Sequence, residues 1–362
     1  MNLNYEIIKL IGKGSYGNVY LVRKKGTHQE YALKKIKLLK LKYEDKLNLI
    51  TELKIIRYAK SNFILKYVDC FVDNYYLYII TPIYNCDLQH FIYQRQKNNN
   101  PFNEDEIWNY IIQLIIGLKY LHKNNIIHRD IKSSNIFIDN NTNKLVIGDF
   151  GVSKVLLNTL FANTMVGTPF YMSPEIFKST DYTNKVDVWS IGCIIVELMT
   201  FYPPFYGKTL KELNYNIFKL NFYKDIKKYN YSKYLIDFVY KILTINPLKR
   251  PSIDQLFNIP IIKNKLEHFY YNYYNNKLEI TRFNDKFKNQ GLKNFKNAVN
   301  RIKNIDKNQT QKKIIKYPKI NQIQNQEYVN NRNQYLKNKY RNNHNYNIIT
   351  HKKKNYCVLP RI

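Results

Sequence analysis

Near the middle of a 362-residue chain stands the stretch His128-Arg129-Asp130-Ile131-Lys132-Ser133-Ser134-Asn135-Ile136-Phe137. Within eight residues it carries a carboxylate, two cations and a carboxamide. Unlike polar groups at this density do not suit a packed core, because each buried polar group needs a partner of its own. The stretch therefore predicts a loop that displays its side chains to a charged ligand.

A second acidic motif follows this loop. The run Lys144-Leu145-Val146-Ile147-Gly148-Asp149-Phe150-Gly151 reads as a strand that ends at Asp149, 19 residues after Asp130. Two carboxylates in different roles suit phosphoryl transfer, which needs charge neutralisation more than covalent help. Asp130 would orient the hydroxyl of the nucleophile, Asn135 and Asp149 would hold Mg²⁺ (or Mn²⁺), and Lys132 would meet the γ-phosphate. Taken singly, Asp130 could cap a turn and Asp149 could belong to a hairpin, but the joint spacing favours the site.

The N-terminal region contains a glycine-rich turn, Gly12-Lys13-Gly14-Ser15-Tyr16-Gly17-Asn18-Val19, inside the alternating pattern of Ile7 to Val22. Glycines let backbone amides approach an anion closely, although the pattern alone is weak and also occurs in dinucleotide-binding folds. A dinucleotide fold needs a helix at the glycines. Here a third strand follows, Tyr31-Ala32-Leu33-Lys34, and it places Lys34 17 residues after Gly17. This order indicates a loop over ATP phosphates and a strand lysine that reaches them.

A helical pattern from Tyr43 to Ala59 supplies a partner for Lys34. Its apolar residues include Leu49 and Leu53 on one face, and Glu52 borders that face. We expect Glu52 to form an ion pair with Lys34; the alternatives are a solvated lysine and a surface salt bridge.

Two further strands are predicted between Tyr67 and Thr81, followed by a short connector from Pro82 to Asp87. The connector would join a β-rich lobe to a helical one, and its backbone near Pro82 and Tyr84 would bond the adenine edge. Proline does not prevent this, because it keeps its carbonyl group. The predicted ATP contacts are Gly12, Lys13, Gly14, Ser15, Gly17, Val19, Ala32, Lys34, Thr81, Pro82 and Tyr84.

In this order the motifs resemble those of a eukaryotic protein kinase from about Tyr5 to Ile262. The resemblance implies an α+β, bilobal protein-kinase-like fold, with a small β-rich N-lobe (1–81) that has one main helix, a hinge (82–87) and a larger helical C-lobe (88–262). It also implies two structural contacts. Glu175 of the Ser-Pro-Glu motif would pair with Arg250, and Asp187 would hold the backbone beneath His128 and Arg129.

The residues within and around these motifs are similar to those of the NIMA-related (NEK) serine/threonine kinases. HRDIKSSNIF and the segment Phe161 to Glu175 carry this likeness, and Lys132 and Thr168 further resemble serine/threonine kinases. A Ste20-like kinase is the alternative, although that group usually reads Ala-Pro-Glu. The resemblance implies cell-cycle or microtubule-linked signalling, and the Asn- and Lys-rich composition is similar to that of an apicomplexan parasite's version of such an enzyme.

Activation-loop phosphorylation is a further expectation. Arg129 directly precedes Asp130, and an arginine there invites a phosphate as counter-ion. Lys154 resembles the second cation of that phosphate pocket. Thr164 is the leading phosphosite and Thr159 the next, modified by an upstream kinase or by the protein itself. Thr168, also a candidate, is expected to contact Asp130 and Lys132 instead.

The C-terminal hundred residues form a basic Asn/Lys-rich tail. Of a net charge of +31, residues 263–362 contribute +18, from 23 basic and 5 acidic residues. Residues 265–306 could be helical, whereas from Lys307 the composition predicts disorder. The tail could bind nucleic acid or an acidic partner weakly, or it could be a solvated segment shaped by codon bias.

Two classes of protein are disfavoured. No apolar run is long enough to cross a bilayer, and the four scattered cysteines suit neither a zinc site nor disulfides. A cytoplasmic or nuclear location is therefore expected. A pseudokinase scaffold is the main rival to an enzyme, but such proteins ordinarily lose Lys34, Asp130 or Asp149, and this chain keeps all three. A nucleic-acid-binding protein with an incidental kinase fold is a third, weaker alternative.

Overall fold

The computed structural model describes residues 4–14, 17–59, 61–148, 169–178, 183–275, 294–303 and 305. Several predicted site residues lie outside these ranges: Ser15, Asp149, Lys154, Thr159, Thr164 and Thr168.

The N-terminal lobe is built on a five-stranded antiparallel sheet with the order β1-β2-β3-β5-β4. The strands are β1 (Tyr5–Gly14), β2 (Gly17–Lys24), β3 (Glu30–Lys37), β4 (Asp69–Asp73) and β5 (Tyr76–Pro82). Helix α1 (Tyr43–Tyr58) connects β3 to β4. Leu49 and Leu53 are fully buried, as the apolar face predicted.

The strand register places four predicted nucleotide contacts, Val19, Ala32, Lys34 and Thr81, on one face of this sheet. Lys34 of β3 lies between Val19 of β2 and Ile79 of β5, and Ala32 lies opposite Thr81. Residues opposite one another, and residues two apart, share a face. The other face packs into a small core of Tyr5, Val22, Leu33, Tyr78 and Ile80. The sheet thus has one structural face and one face that carries Lys34.

A short three-stranded sheet connects the lobes. It contains β6 (Cys86–Asp87), β7 (Ile136–Asp139) and β8 (Lys144–Ile147) in that order. The connector between α1 and β4 is attached to this sheet, because Leu65 N–H donates to Ile147 O at 2.8 Å and Ile147 N–H donates to Phe63 O at 2.9 Å. The end of α1 is therefore tied to the strand that leads to Asp149.

The C-terminal lobe is helical and encloses the main core. Its helices are α2 (Leu88–Lys97), α3 (Glu104–Lys123), α4 (Pro174–Phe177), α5 (Lys185–Thr200), α6 (Leu210–Lys219), α7 (Lys233–Ile242), α8 (Ile253–Phe257) and α9 (Pro260–Asn275). Helix α3 begins at a capping box, in which Asn103 accepts from Glu106 N–H and the Glu106 carboxylate accepts from Asn103 N–H. Helix α5 is buried along almost its whole length. Together these lobes confirm the predicted α+β bilobal fold.

Residues 294–303 form one more helix, beyond the C-terminal lobe in sequence. No helix in the described ranges is both long and apolar enough to span a bilayer. Cys70, Cys86 and Cys193 are free thiols.

Candidate active site

The predicted catalytic loop holds one carboxylate in a fixed position. Asn135 Nδ2 donates to Asp130 Oδ2 and to the Asp130 carbonyl oxygen, both at 2.8 Å, and Lys132 Nζ lies 3.0 Å from the same Oδ2. A single 3₁₀ turn, Ser133–Asn135, brings Asn135 back onto Asp130. Both of these side-chain donors meet Oδ2, and neither of them meets Oδ1.

The loop rests on a buried aspartate of α5. Asp187 accepts from the N–H of His128 at 2.9 Å and from the N–H of Arg129 at 2.8 Å, and the ring of His122 lies 2.9 Å from its Oδ2. Arg129 has a φ of 69°, in the left-handed region that costs energy for a residue with a Cβ. The two bonds from Asp187 hold that backbone in place, which is the contact that the resemblance implied.

His128 joins the loop to the residue before Asp149. Its Nδ1 accepts from Asp130 N–H at 3.3 Å, so its Nε2–H donates to the carbonyl oxygen of Gly148 at 3.0 Å. The ring is 2% exposed. Asp149 lies outside the described residues, but its neighbour Gly148 is tied directly to the loop that carries Asp130.

The glycine-rich turn is the end of the β1–β2 hairpin. Gly12 lies opposite Val19, and Gly14 lies opposite Gly17 across two turn residues. A Cβ on Gly17 would stand 1.9 Å from the carbonyl oxygen of Lys35 on β3, so only glycine allows this approach. Lys13 stands beside these glycines at the tip, opposite Asn18.

The hinge, the connector between the two lobes, follows directly after β5. Thr81 and Pro82 are the last residues of β5, so the connector starts at Ile83 rather than at Pro82. Tyr84 stacks on Phe137, with ring centroids 5.9 Å apart and planes 20° apart. A hydrogen bond of 2.9 Å from Asn140 N–H to the Asn85 side chain also fastens the connector to the turn after β7.

Phe137 and Gly148 belong to this site, although sequence reasoning did not single them out. A Cβ on Gly148 would lie 2.5 Å from Phe137 Cε2, so the glycine makes room for the ring. Phe137 lies two residues after Asn135 on β7, and β7 pairs with β6 of the connector. The ring therefore stands between the hinge and the strand that leads to Asp149. The glycine directly before Asp149 was the feature of the sequence that could have indicated a close contact with a large side chain.

The C-terminal lobe is braced by an ion pair. Arg250 donates to Glu175 through two bonds, Nη1 to Oε1 at 2.7 Å and Nη2 to Oε2 at 3.0 Å. Its Nε donates to the Thr244 carbonyl and its Nη1 also donates to the Lys185 carbonyl. The side chains are 0% and 4% exposed. The pair fixes the start of α4 against the loop before α8.

A buried carboxyl, which no motif in the sequence indicated, lies beneath the catalytic loop. Glu197 of α5 accepts from the hydroxyl of Tyr171 at 2.7 Å and from that of Ser133 at 3.2 Å. Burial raises the pKa of Glu197 from 4.5 to about 7, and the two hydrogen bonds act in the opposite direction. This network joins the loop of Asp130 to the 3₁₀ turn Pro169–Tyr171, which follows Thr168.

Comparison with known proteins decides what these motifs belong to. The family model described as "Protein kinase domain" matches residues 5–262, which is most of the chain. The chain belongs to the protein kinase family. The relatives described next are all named as Nek serine/threonine-protein kinases, which supports the NIMA-related type expected from the sequence.

Three relatives illustrate the likeness. Human serine/threonine-protein kinase Nek5 is 33% identical over 267 residues, which cover 73% of this chain and 37% of Nek5. The probable serine/threonine-protein kinase nek2 of Dictyostelium discoideum is 33% identical over 278 residues, 75% of this chain and 65% of that protein. Mouse Nek3 is 36% identical over 255 residues, 70% of this chain and 48% of Nek3. The matched part of the kinase thus spans between about a third and two thirds of these relatives, and the apicomplexan source stays a prediction.

Protein kinases use ATP, a divalent metal ion and protein substrates, and the described residues fit the nucleotide and the metal. Gly17 has no room for a side chain, because its backbone lies close to the carbonyl group of Lys35 on β3. Asn135 uses its Nδ2 on Asp130, which leaves its amide oxygen, a hard ligand of the kind that Mg²⁺ prefers. The described residues are therefore chemically consistent with ATP and a divalent metal ion, whereas Ser15, Asp149 and the side chain of Glu52 lie outside the described part of the chain.

Proposed function

We propose that the chain is an active serine/threonine kinase that transfers the γ-phosphoryl group of Mg-ATP to Ser and Thr hydroxyls of proteins. The observation that carries this proposal is the fixed carboxylate of Asp130, which Asn135 and Lys132 both hold through Oδ2. A pseudokinase scaffold has no need for that arrangement. Cell-cycle or microtubule-linked signalling, in the cytoplasm or the nucleus, is the corresponding biological role.

The chemistry needs positioning more than covalent catalysis. Asp130 Oδ1 accepts the hydrogen bond of the substrate hydroxyl and aims its oxygen. Lys132, which is 25% exposed, reaches from Asp130 toward the transferred group and neutralises its charge. Lys34 approaches the α and β phosphates from the face of β3, and Glu52 of α1 is its proposed partner.

Mg²⁺ would be held by Asn135 and Asp149, and it would supply charge neutralisation at the phosphate oxygens. The adenine ring would meet the backbone near Pro82 and Tyr84 on one edge. Phe137, stacked on Tyr84, offers an apolar surface on the same side. Mn²⁺ has the same preference for oxygen ligands and would serve in its place.

Activation-loop phosphorylation is part of the proposal. The left-handed backbone of Arg129 is fixed by Asp187, so the guanidinium is presented by a rigid loop next to Asp130. A phosphate on Thr164 would pair with Arg129 and Lys154 and order the segment between them. An upstream kinase or the protein itself would add that phosphate.

The basic tail supports a second, weaker interaction with nucleic acid or with an acidic partner. Its charge of +18 is mixed with tyrosines that can stack on bases. Binding of single-stranded RNA to the full chain should then weaken steeply with salt. RNA affinity that is absent, or that does not depend on salt, would contradict this interaction.

The proposed activity is tested with ATP labelled at the γ-phosphate, Mg²⁺ and a generic protein substrate. We expect label on phosphoserine and phosphothreonine after acid hydrolysis, none on phosphotyrosine, and loss of transfer when EDTA removes the metal. Asp149→Ala is the control, because it removes a proposed metal ligand. Equal labelling by the wild type and this variant would refute the proposal.

A further inference from the structure

The helix of residues 294–303 lies outside the part of the chain that the kinase family explains, yet one of its faces is buried. The buried residues follow the spacing i, i+3, i+4, i+7 and are Phe295, Ala298, Val299 and Ile302, with 9% exposure or less. Lys296, Asn297 and Asn300 point to solvent. A helix of about ten residues is marginal on its own in water, so its stability comes from the surface beneath it.

That surface is the open edge of the N-lobe sheet. Strand β4 is the last strand in the sheet order. Arg301 Nη1 donates to the carbonyl oxygen of Val72 at 2.6 Å, and Asn294 Nδ2 donates to the Asp69 carboxylate at 3.0 and 3.3 Å. Unpaired backbone groups at a sheet edge are a liability that proteins cover, and here Arg301 of the chain's own helix bonds a backbone carbonyl of the edge strand.

The lengths of the two elements match. From Asn294 to Arg301 an α-helix rises about 10 Å, and from Asp69 to Val72 a strand also spans about 10 Å. The two polar contacts therefore fix the helix at both ends of β4. Burial raises the pKa of Asp69, while the hydrogen bond from Asn294 offsets part of that cost.

The same helix reaches the end of α1. The ring of Phe295 meets that of Tyr67 edge-on, with centroids 6.4 Å apart, and the guanidinium of Arg57 lies 5.4 Å from the centre of the Tyr67 ring. Arg57 is in the last turn of α1, the helix that carries Glu52. Phe269 of α9 adds a second contact on this connector, 5.8 Å from Phe63.

We propose that residues 294–303 are a positioning element for the kinase reaction, with Phe295 and Arg301 as its positioning residues. By docking on β4 and Tyr67, they hold the C-terminal end of α1 so that Glu52 can keep Lys34 on the ATP phosphates. This inference rests on the proposed kinase function. Its occupant is a segment of this same chain, and its effect is to favour activity.

The test uses five point variants of the full chain, one of which, Phe295→Leu, keeps an apolar side chain at that position. Phe295→Ala removes the ring contact and Arg301→Gln removes the charge-assisted bond to Val72, whereas Lys296→Ala and Asn300→Ala change exposed positions of the same helix. Hydrogen–deuterium exchange reports docking at β4 and at the end of α1. Initial rates at varied ATP concentration report positioning, at a temperature where every variant is folded.

We expect both docking variants to speed amide exchange in residues 57–73 and to raise KM for ATP by about fivefold or more, with a smaller loss of kcat. The exposed-face variants should stay within about twofold of the wild type, and Phe295→Leu should restore most of the affinity. A docking variant that exchanges faster but keeps both kinetic constants would show a merely structural role and overturn the proposal. Unchanged exchange would overturn the docking itself.

The wild-type chain is assayed first so that two failures stay distinct. A wild type that transfers no phosphate would overturn the proposed function and, with it, the positioning role. Transfer by the wild type, together with docking variants that match the exposed-face variants in every readout, would overturn the positioning role alone.

Discussion

Individual residues in this kinase are held by contacts that differ widely in burial, and the difference sets the cost of changing them. The Arg250–Glu175 pair is fully enclosed, whereas the Arg23–Glu30 pair on β2 and β3 has side chains 44% and 39% exposed. A buried charge without its partner cannot be solvated, while an exposed one can. Two ion pairs of similar chemistry therefore provide a matched test.

Glu175→Gln should lower the free energy of unfolding by about 3–5 kcal/mol, because it leaves the Arg250 guanidinium buried without a counter-charge. Glu30→Gln on the exposed pair should cost about 1 kcal/mol or less. Urea denaturation of both variants measures the difference. Similar costs for the two substitutions would contradict the structural role of the buried pair.

Gly148→Ala should weaken ATP binding. The new Cβ would stand 2.5 Å from Cε2 of Phe137, whose ring is stacked on Tyr84 of the connector. We expect KM for ATP to rise several-fold. The overpacking should cost roughly 1–3 kcal/mol, part of which lowers the stability of the fold and part of which weakens ATP binding. Phe137→Leu in the same chain should relieve the clash and recover part of the affinity. An unchanged KM in the single variant would show that Phe137 lies away from the nucleotide.

At the scale of elements, α5 acts as the support of the catalytic loop. Asp187 in its first turn holds the backbone of His128 and Arg129, and Glu197 near its other end binds Ser133 and Tyr171. One rigid buried helix therefore sets both the loop of Asp130 and the turn after Thr168. Burial raises the pKa of Glu197 to about 7.

Glu197 should make stability depend on pH. Its pKa is about 7 in the folded protein and 4.5 as the reference, so the folded state binds the extra proton between these values. The protonated Glu197 carboxyl therefore contributes to the free energy of unfolding, on the order of 3 kcal/mol at most. This contribution is fully present below about pH 4.5 and is lost as the pH rises through about 7. Glu197→Gln cannot ionise and should remove this part of the pH dependence. Urea denaturation between about pH 5 and 8 checks it, and parallel curves for the two proteins would contradict it.

The segment that contains Thr164 connects two anchored parts, β8 with Gly148 and the turn Pro169–Tyr171. We expect Thr164→Ala to lower the turnover number strongly, by about tenfold or more, because Arg129 and Lys154 lose the phosphate that pairs with them. Thr159→Ala should have the smaller effect. The comparison uses protein that has been incubated with ATP, and intact mass shows whether phosphate is present. Undiminished turnover by purified Thr164→Ala would contradict this activation step.

For the whole molecule, the sequence predicted the lobes and the catalytic loop because phosphoryl transfer requires fixed residue types at fixed spacing. Asp130, Asn135 and Lys132 could be assigned on that ground. The support from Glu197 could not, since it joins positions 64 residues apart and carries no motif. A helix was expected only somewhere within residues 265–306, and the strand that residues 294–303 contact lies 225 residues earlier. Contacts of that range depend on tertiary packing, which periodicity does not encode.

The central claim is that this fold transfers phosphate through a hydroxyl aimed by Asp130. The measurement that tests it most directly is the single-turnover rate of phosphate transfer to a serine peptide, for the wild type and for Asp130→Asn, at saturating Mg-ATP. The asparagine keeps the shape and the contact with Lys132 but removes the negative charge. We expect the rate to fall by about 10²- to 10⁴-fold while ATP affinity stays within about threefold of the wild type. Equal rates for the two proteins would contradict the account.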